Sequence, residues 1–163
     1  MDANAFRHVF DYHFAENRAL WDSAVASLSD AQFAQNSAYS HGSVRDQLIH
    51  MISVDEAWFS GLRGVELGEP EPVGDRQSIR AYADRVEAEI RAYLGGLRDE
   101  MLLTKPIEDG EDKDLAVWQM LFQVINHGTD HRAQLLRLLN DLGITTSAQD
   151  YIFYAYDHPV AAE

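Results

Sequence analysis

Two histidines four residues apart, His127 and His131, are the part of this sequence best equipped for chemistry. They lie in the stretch Asn126-His127-Gly128-Thr129-Asp130-His131-Arg132, inside an apolar run from Leu115 to Leu142 whose spacing predicts one long helix. A helix turns about 100° per residue, so the two imidazoles stand about 40° apart, one turn above the other. Rings stacked in this way can both reach one metal ion, which is why the i, i+4 pair recurs in metal sites. Met120, Val124 and Leu138 project within about 60° of His127 by the same geometry, which points the pair into the core. Four buried ring nitrogens need partners, because an unpaired polar group in a core is costly. A metal supplies one answer and neighbouring hydrogen-bonding groups another. The metal reading requires a third ligand.

His50 is the candidate for it. It sits on a second predicted helix, running from Ser43 as N-cap to about Leu62, on one stripe with Gln47, Val54 and Ala57. Asp46 stands one turn before His50, where it either completes the cap or orients the ring. Asp130 projects about 60° from His127 and reads as a flanking base, a partner of a ligand, or a solvated carboxylate. Gln134 lies near the same face. His8 and His13 fall on the first helix, and a spacing of five sets them about 140° apart. They cannot both face one site; at most one can point inward, and the default expectation for each is the surface.

The elements that position these residues follow from periodicity and punctuation. A first helix runs from about Ala3 to Leu28 on the stripe Phe6, Phe10, Phe14, Leu20, Trp21, Val25 and Leu28, and a short turn capped by Ser29-Asp30 reaches Phe33. Gln35 to Gly42 is polar loop. After the His50 helix, Gly64 to Gly74 is rich in Gly, Pro and Glu and reads as loop. At about 3.3 Å per residue it spans more than roughly 30 Å, enough to let the next helix start at the same end of a bundle as the last. Asp75 or Ser78 caps a third helix to about Met101. Asp114 caps the fourth, which stops near Gly143. Ser147 caps a short last helix carrying Tyr151, Ile152, Phe153, Tyr154 and Tyr156, an aromatic cluster expected to close one end of the core or to offer a tyrosine to a substrate. No stretch reads as a strand. The expected fold is all-α: a four-helix bundle with a short additional C-terminal helix, one domain over residues 1–163.

Composition narrows the function classes. A formal net charge of −14 over 163 residues leaves no room for a basic nucleic-acid footprint and disfavours anionic membrane surfaces. No cysteine is present, which excludes disulfides, a thiol nucleophile and thiolate ligands, and fits a cytoplasmic setting. The N-terminus has no signal-peptide hydrophobic run, and no apolar stretch approaches transmembrane length.

Together these residues resemble a known family. A lone helical histidine followed by an acidic residue and Trp (LIHMISVDEAWF), a later His-x-x-x-His-Arg-x-Gln (HGTDHRAQ) running into LLRLLNDLGI, and the tail DYIFYAY are similar to the DinB/YfiT-like metalloenzyme superfamily, from the first helix to Tyr156. Ala133 stands where Gly is frequent in the family, and Asp130 where a second His is often seen. The resemblance implies an up-down-down-up four-helix bundle, often a homodimer, holding a divalent metal through His50, His127 and His131. Family members include thiol transferases that use low-molecular-weight bacterial thiols, a maleylpyruvate isomerase and metal-dependent hydrolases. Three imidazoles leave an open coordination position, as catalytic sites do, and suit Zn, Ni, Fe or Cu; the ligands do not name the metal, and Mn also stays open. The zinc-peptidase route is not expected, since its Glu base would directly follow the first His and Gly128 stands there. The expectation is a metal-dependent thiol transferase with a small-molecule electrophile as substrate and a thiol cosubstrate. The alternatives are a metal-dependent hydrolase and a non-catalytic helical metal-binding protein.

Overall fold

The computed structural model describes residues 1–68 and 74–160. Six α-helices and two short 3₁₀ turns make up the regular structure, with no strand among the described residues. The helices are α1 (Ala3–Ser23), α2 (Asp30–Phe33), α3 (Val44–Arg63), α4 (Arg76–Gly96), α5 (Val117–Asp141) and α6 (Tyr151–Asp157). Four of them are long. α1 and α3 each pack against both α4 and α5, so the four enclose one apolar interior. Phe6, Phe10, Phe59, Ile79, Ile90, Met120, Leu121, Val124 and Leu139 are nearly inaccessible and supply its centre. Each comes from a 3.6-residue stripe visible in the sequence.

The helix boundaries show where local signals and tertiary partners compete. α1 stops at Ser23, short of Leu28, and a 3₁₀ turn over Val25–Ser27 follows. Ser29 caps α2 by accepting from the Gln32 amide, which requires extended backbone at Leu28 and Ser29, so the first helix cannot run into it. α4 starts as expected from Asp75 but ends at Gly96, short of Met101. The Asp99 carboxylate beyond it accepts from the Ala3 amide at 2.8 Å and so satisfies the start of α1. α5 begins at Val117, not after Asp114. Its first amides donate to loop backbone, Val117 to Thr104 and Trp118 to Leu102, so no local side-chain cap is needed there. Asp150, not Ser147, occupies the N-cap position of α6. The aromatic tail does not close the core: Tyr151, Ile152, Phe153 and Tyr156 are exposed, while Tyr151 and Tyr154 meet His8 and Tyr12 edge-on or tilted. α3 ends where expected, with Gly64 in the left-handed region that terminates a helix. The middle of the long connection after it, residues 69–73, lies outside the described residues.

Candidate metal centre

α3 and α5 lie against each other and bring His50, His127 and His131 together. Their ring centroids are 4.2 Å apart for His127 and His131, 4.6 Å for His50 and His131, and 5.1 Å for His50 and His127. His131 is buried, and the other two are half-buried. His50 Nε2 and His127 Nε2 are 3.2 Å apart. Two nitrogens bound to one tetrahedral zinc at about 2.0–2.1 Å would be roughly 3.3 Å apart, so this pair is already spaced for a shared ion. The same distance suits an N–H···N hydrogen bond between neutral rings. His127 Nδ1 is buried without a hydrogen-bond partner.

A fourth ring, for which no periodic signal exists in the sequence, joins them. His41, on the exposed loop before α3, stacks on His50 at 3.6 Å between centroids and lies 5.2 Å from His131. One ring nitrogen from each of His41, His50 and His131 falls within 4.8 Å of the others. Helical spacing says nothing about a loop residue. The available hints were its place nine residues before His50 and the usual concentration of functional residues on loops.

The residues around the rings have distinct duties. Gln47, fully buried on the His50 stripe, holds its amide 2.7 Å from His131 Nδ1 and links back to the loop through the Ser40 hydroxyl at 2.7 Å. With the Gln47 amide nitrogen donating, Nδ1 accepts and the proton sits on Nε2. Turning the amide over would let Nδ1–H donate to Gln47 Oε1 and free Nε2 for a metal, the usual arrangement behind a metal-bound histidine. Asp46 is occupied by the cap, accepting from the Ser43 hydroxyl and from Arg45. Asp130 is exposed and accepts from Gln134 Nε2 at 3.0 Å, and Gln134 also bonds Ser40. Among the described residues, no carboxylate joins the histidines as a candidate ligand.

His13 departs from the surface position expected of it. It is fully buried beneath the cluster. Its Nε2 faces Asp55 Oδ2 at 3.1 Å, and Arg132 Nη1 faces its Nδ1 at 3.1 Å. Arg132, itself buried, also donates to Asn17 and Thr129 and lies over the Tyr12 ring. The reason His13 fits is Gly128: a Cβ there would fall 2.7 Å from His13 Nδ1 and closer still to Cε1. The position where a zinc peptidase carries its base is here a space filled by another residue's ring.

Burial, then the neighbouring rings of His41, His131 and His127, pull His50 down to about 4, with Asp55 acting the other way. Burial and His131 lower His127, and burial and His41 lower His131. His50, His127 and His131 are therefore neutral near neutral pH, the state in which imidazole binds metal. No helix among the described residues is long and apolar enough to cross a membrane.

A model of the DinB family matches residues 1–160. The chain belongs to the DinB family. Among curated proteins none matches it. Its place in the DinB family and the histidine cluster together make a metal site compatible with this bundle.

Two outcomes are expected. Between the ordinary histidine value of about 6.5 and the lowered values in the fold, the unfolded chain binds more protons than the folded one. Stability of the metal-free protein should therefore be complete above about pH 6.5 and fall as pH drops toward 4. Urea denaturation in EDTA at pH 7 and pH 5 checks this; the drop should shrink in His50→Gln, and an equal drop in both proteins would contradict it. Gly128→Ala, which on an exposed helix would stabilise by up to about 1 kcal/mol, should instead cost on the order of 1–3 kcal/mol through the His13 clash. A gain in stability would contradict the packing described.

Proposed function

We propose that this DinB-family protein is a metal-dependent enzyme that holds a divalent ion through His50, His127 and His131 and transfers a low-molecular-weight thiol to a small electrophile. The observation that carries the reading is the cluster of neutral imidazoles on two facing helices, with no carboxylate of the described residues among them. Such a donor set leaves the charge of a divalent ion uncompensated and, with three ligands, a position open to substrate. A bound ion would lower the pKa of a coordinated thiol and present it as thiolate near neutral pH.

This chain's own residues do the positioning. Gln47 orients His131, and the His13–Asp55–Arg132 set fixes α1, α3 and α5 beneath the rings. Hydrolysis is the weaker reading, because the two positions from which a carboxylate base would be sought do not offer one: position 128 is filled by the His13 ring, and Asp130 is exposed and bonded to Gln134. A closed, non-catalytic metal site is the rival that one observation favours, namely the approach of His41 to His50 and His131.

The proposal extends to the assembly. The up-down-down-up order of the long helices is supported by the length of the 64–74 connection and by ion pairs that advance in the same direction along α3 and α4, Glu56 with Arg85 and Arg63 with Glu89. A homodimer is supported by exposed Leu103, Trp118 and Phe122 beside Met1 around one groove. The setting proposed is cytoplasmic, with small-molecule partners.

Elemental analysis of tag-free protein beside His50→Ala tests the reading. Near-stoichiometric metal that is lost in His50→Ala is expected. Absence of metal from both, even after reconstitution with Zn, Ni and Mn, would contradict it.

A further inference from the structure

We infer that His41 is a fourth, displaceable metal ligand, carried on the loop before α3, which closes the coordination sphere at rest and leaves when a thiol binds. The inference rests on the metal-site reading above and goes beyond the three helix-borne ligands that reading uses.

Three independent features of the loop support it. The first is donor placement. A ring nitrogen of His41 lies within 4.8 Å of those of His50 and His131, and the His41 ring lies nearly parallel to that of His50, 18° between planes. An exposed loop histidine with no role at the cluster would have solvent to occupy; this one is stacked on the His50 ring, 3.6 Å between centroids, and lies 5.2 Å from that of His131. The second is backbone conformation. Ser40, just before His41, has φ 53° and Gly42, just after it, φ 99°. Ser40 is the sole described non-glycine residue with positive φ. A side chain in the left-handed region persists only where its surroundings hold it there, and such residues concentrate at functional sites.

The third is the means by which the loop is held. The Ser40 hydroxyl bonds Gln47 of α3 and Gln134 of α5, and Gln47 in turn contacts His131. The loop is thus tied to the two helices that carry the other ligands, through the same amide that orients one of them. A hydroxyl both donates and accepts, so this tie survives either orientation of the Gln47 amide when His131 takes the tautomer a metal requires.

Being on an exposed loop is also what makes His41 displaceable. His50, His127 and His131 are fixed by helices whose movement would open the core, whereas His41 can leave by a change in a few loop dihedrals. In the exchange a neutral His41 imidazole would give up its place and a thiol would enter as thiolate, its proton passing to solvent, while the helix-borne histidines would go on holding the ion. A protein built this way protects its metal from adventitious ligands and admits only a ligand that competes well against imidazole.

Cobalt-loaded protein tests this without reference to turnover. Wild type, His41→Ala, His41→Gln and His50→Ala are compared by visible spectrum, by cobalt affinity, and by titration with 2-mercaptoethanol read from the sulfur-to-cobalt charge-transfer band. Both His41 variants should show an altered spectrum, weaker cobalt binding by about tenfold or more, and the sulfur band at lower thiol concentration than wild type. Agreement between the two His41 variants excludes an effect peculiar to one substituted side chain. Wild-type spectra, affinity and thiol response in both His41 variants, with cobalt lost in His50→Ala, would overturn the inference and leave the metal site standing. Cobalt held by His50→Ala as tightly as by wild type would instead overturn the metal-site reading itself. A thiol response that appears only in wild type would overturn displaceability.

Discussion

The contact between His13 and Gly128 is the constraint on which the site depends. A buried imidazole lies where any side chain at position 128 would stand, so the His13 ring of α1 rests directly on the backbone of α5. The same ring reaches Asp55 on α3 through its other nitrogen and receives Arg132 of α5. Three helices are thereby pinned at one level of the bundle. His127 flanks Gly128, and Asp55 lies little more than one turn beyond His50, so the level that is pinned is the one that carries the cluster. Truncating one partner of a buried, charged network of this kind generally costs about 3–5 kcal/mol, because the others are left unpaired. The helix register, and with it the 3.2 Å spacing of the His50 and His127 nitrogens, is therefore held by polar groups beneath the site as much as by the apolar core around it.

Above that level the electrostatics reverse. The protein is strongly acidic, yet its carboxylates are arranged along the surface with arginines, as in the ladder of Arg85 with Glu56 and Glu89 and of Arg91 with Glu87 and Asp11. None of the described residues' carboxylates joins the histidine rings. Mutual crowding and burial keep those rings neutral. Neutral donors do not cancel the charge of an ion, so its full polarising power remains for whatever occupies the remaining position. The nearest buried carboxylate, Asp55, is held behind the rings with His13.

The sequence made much of this legible, for a definite reason. Apolar residues recurring every three to four positions identify a helix and its inner face together, so the four long helices and the inward aim of His50, His127 and His131 could be read directly. Gln47 was visible on the His50 stripe but not its bond to His131, 84 residues away. His13 was misplaced because its burial is justified by Asp55 and Arg132, 42 and 119 residues distant, and by a glycine whose purpose only the folded contact reveals. His41 lies in a loop, where no period exists to aim a side chain. The start of α5 was read as Asp114 because local capping chemistry was sought, whereas its amides are satisfied by the backbone of Leu102 and Thr104. The aromatic tail carries the residue types of a core segment, but it docks only through Tyr151 and Tyr154 on α1 and leaves its other large side chains in solvent.

The account turns on one ion shared by two helices. Anomalous X-ray diffraction from crystals of the zinc-loaded protein, collected on either side of the zinc edge, tests it most directly. The account predicts a single strong peak within bonding distance of ring nitrogens of His50, His127 and His131, between α3 and α5. A peak elsewhere on the surface, or no peak at the cluster in fully loaded crystals, would contradict it.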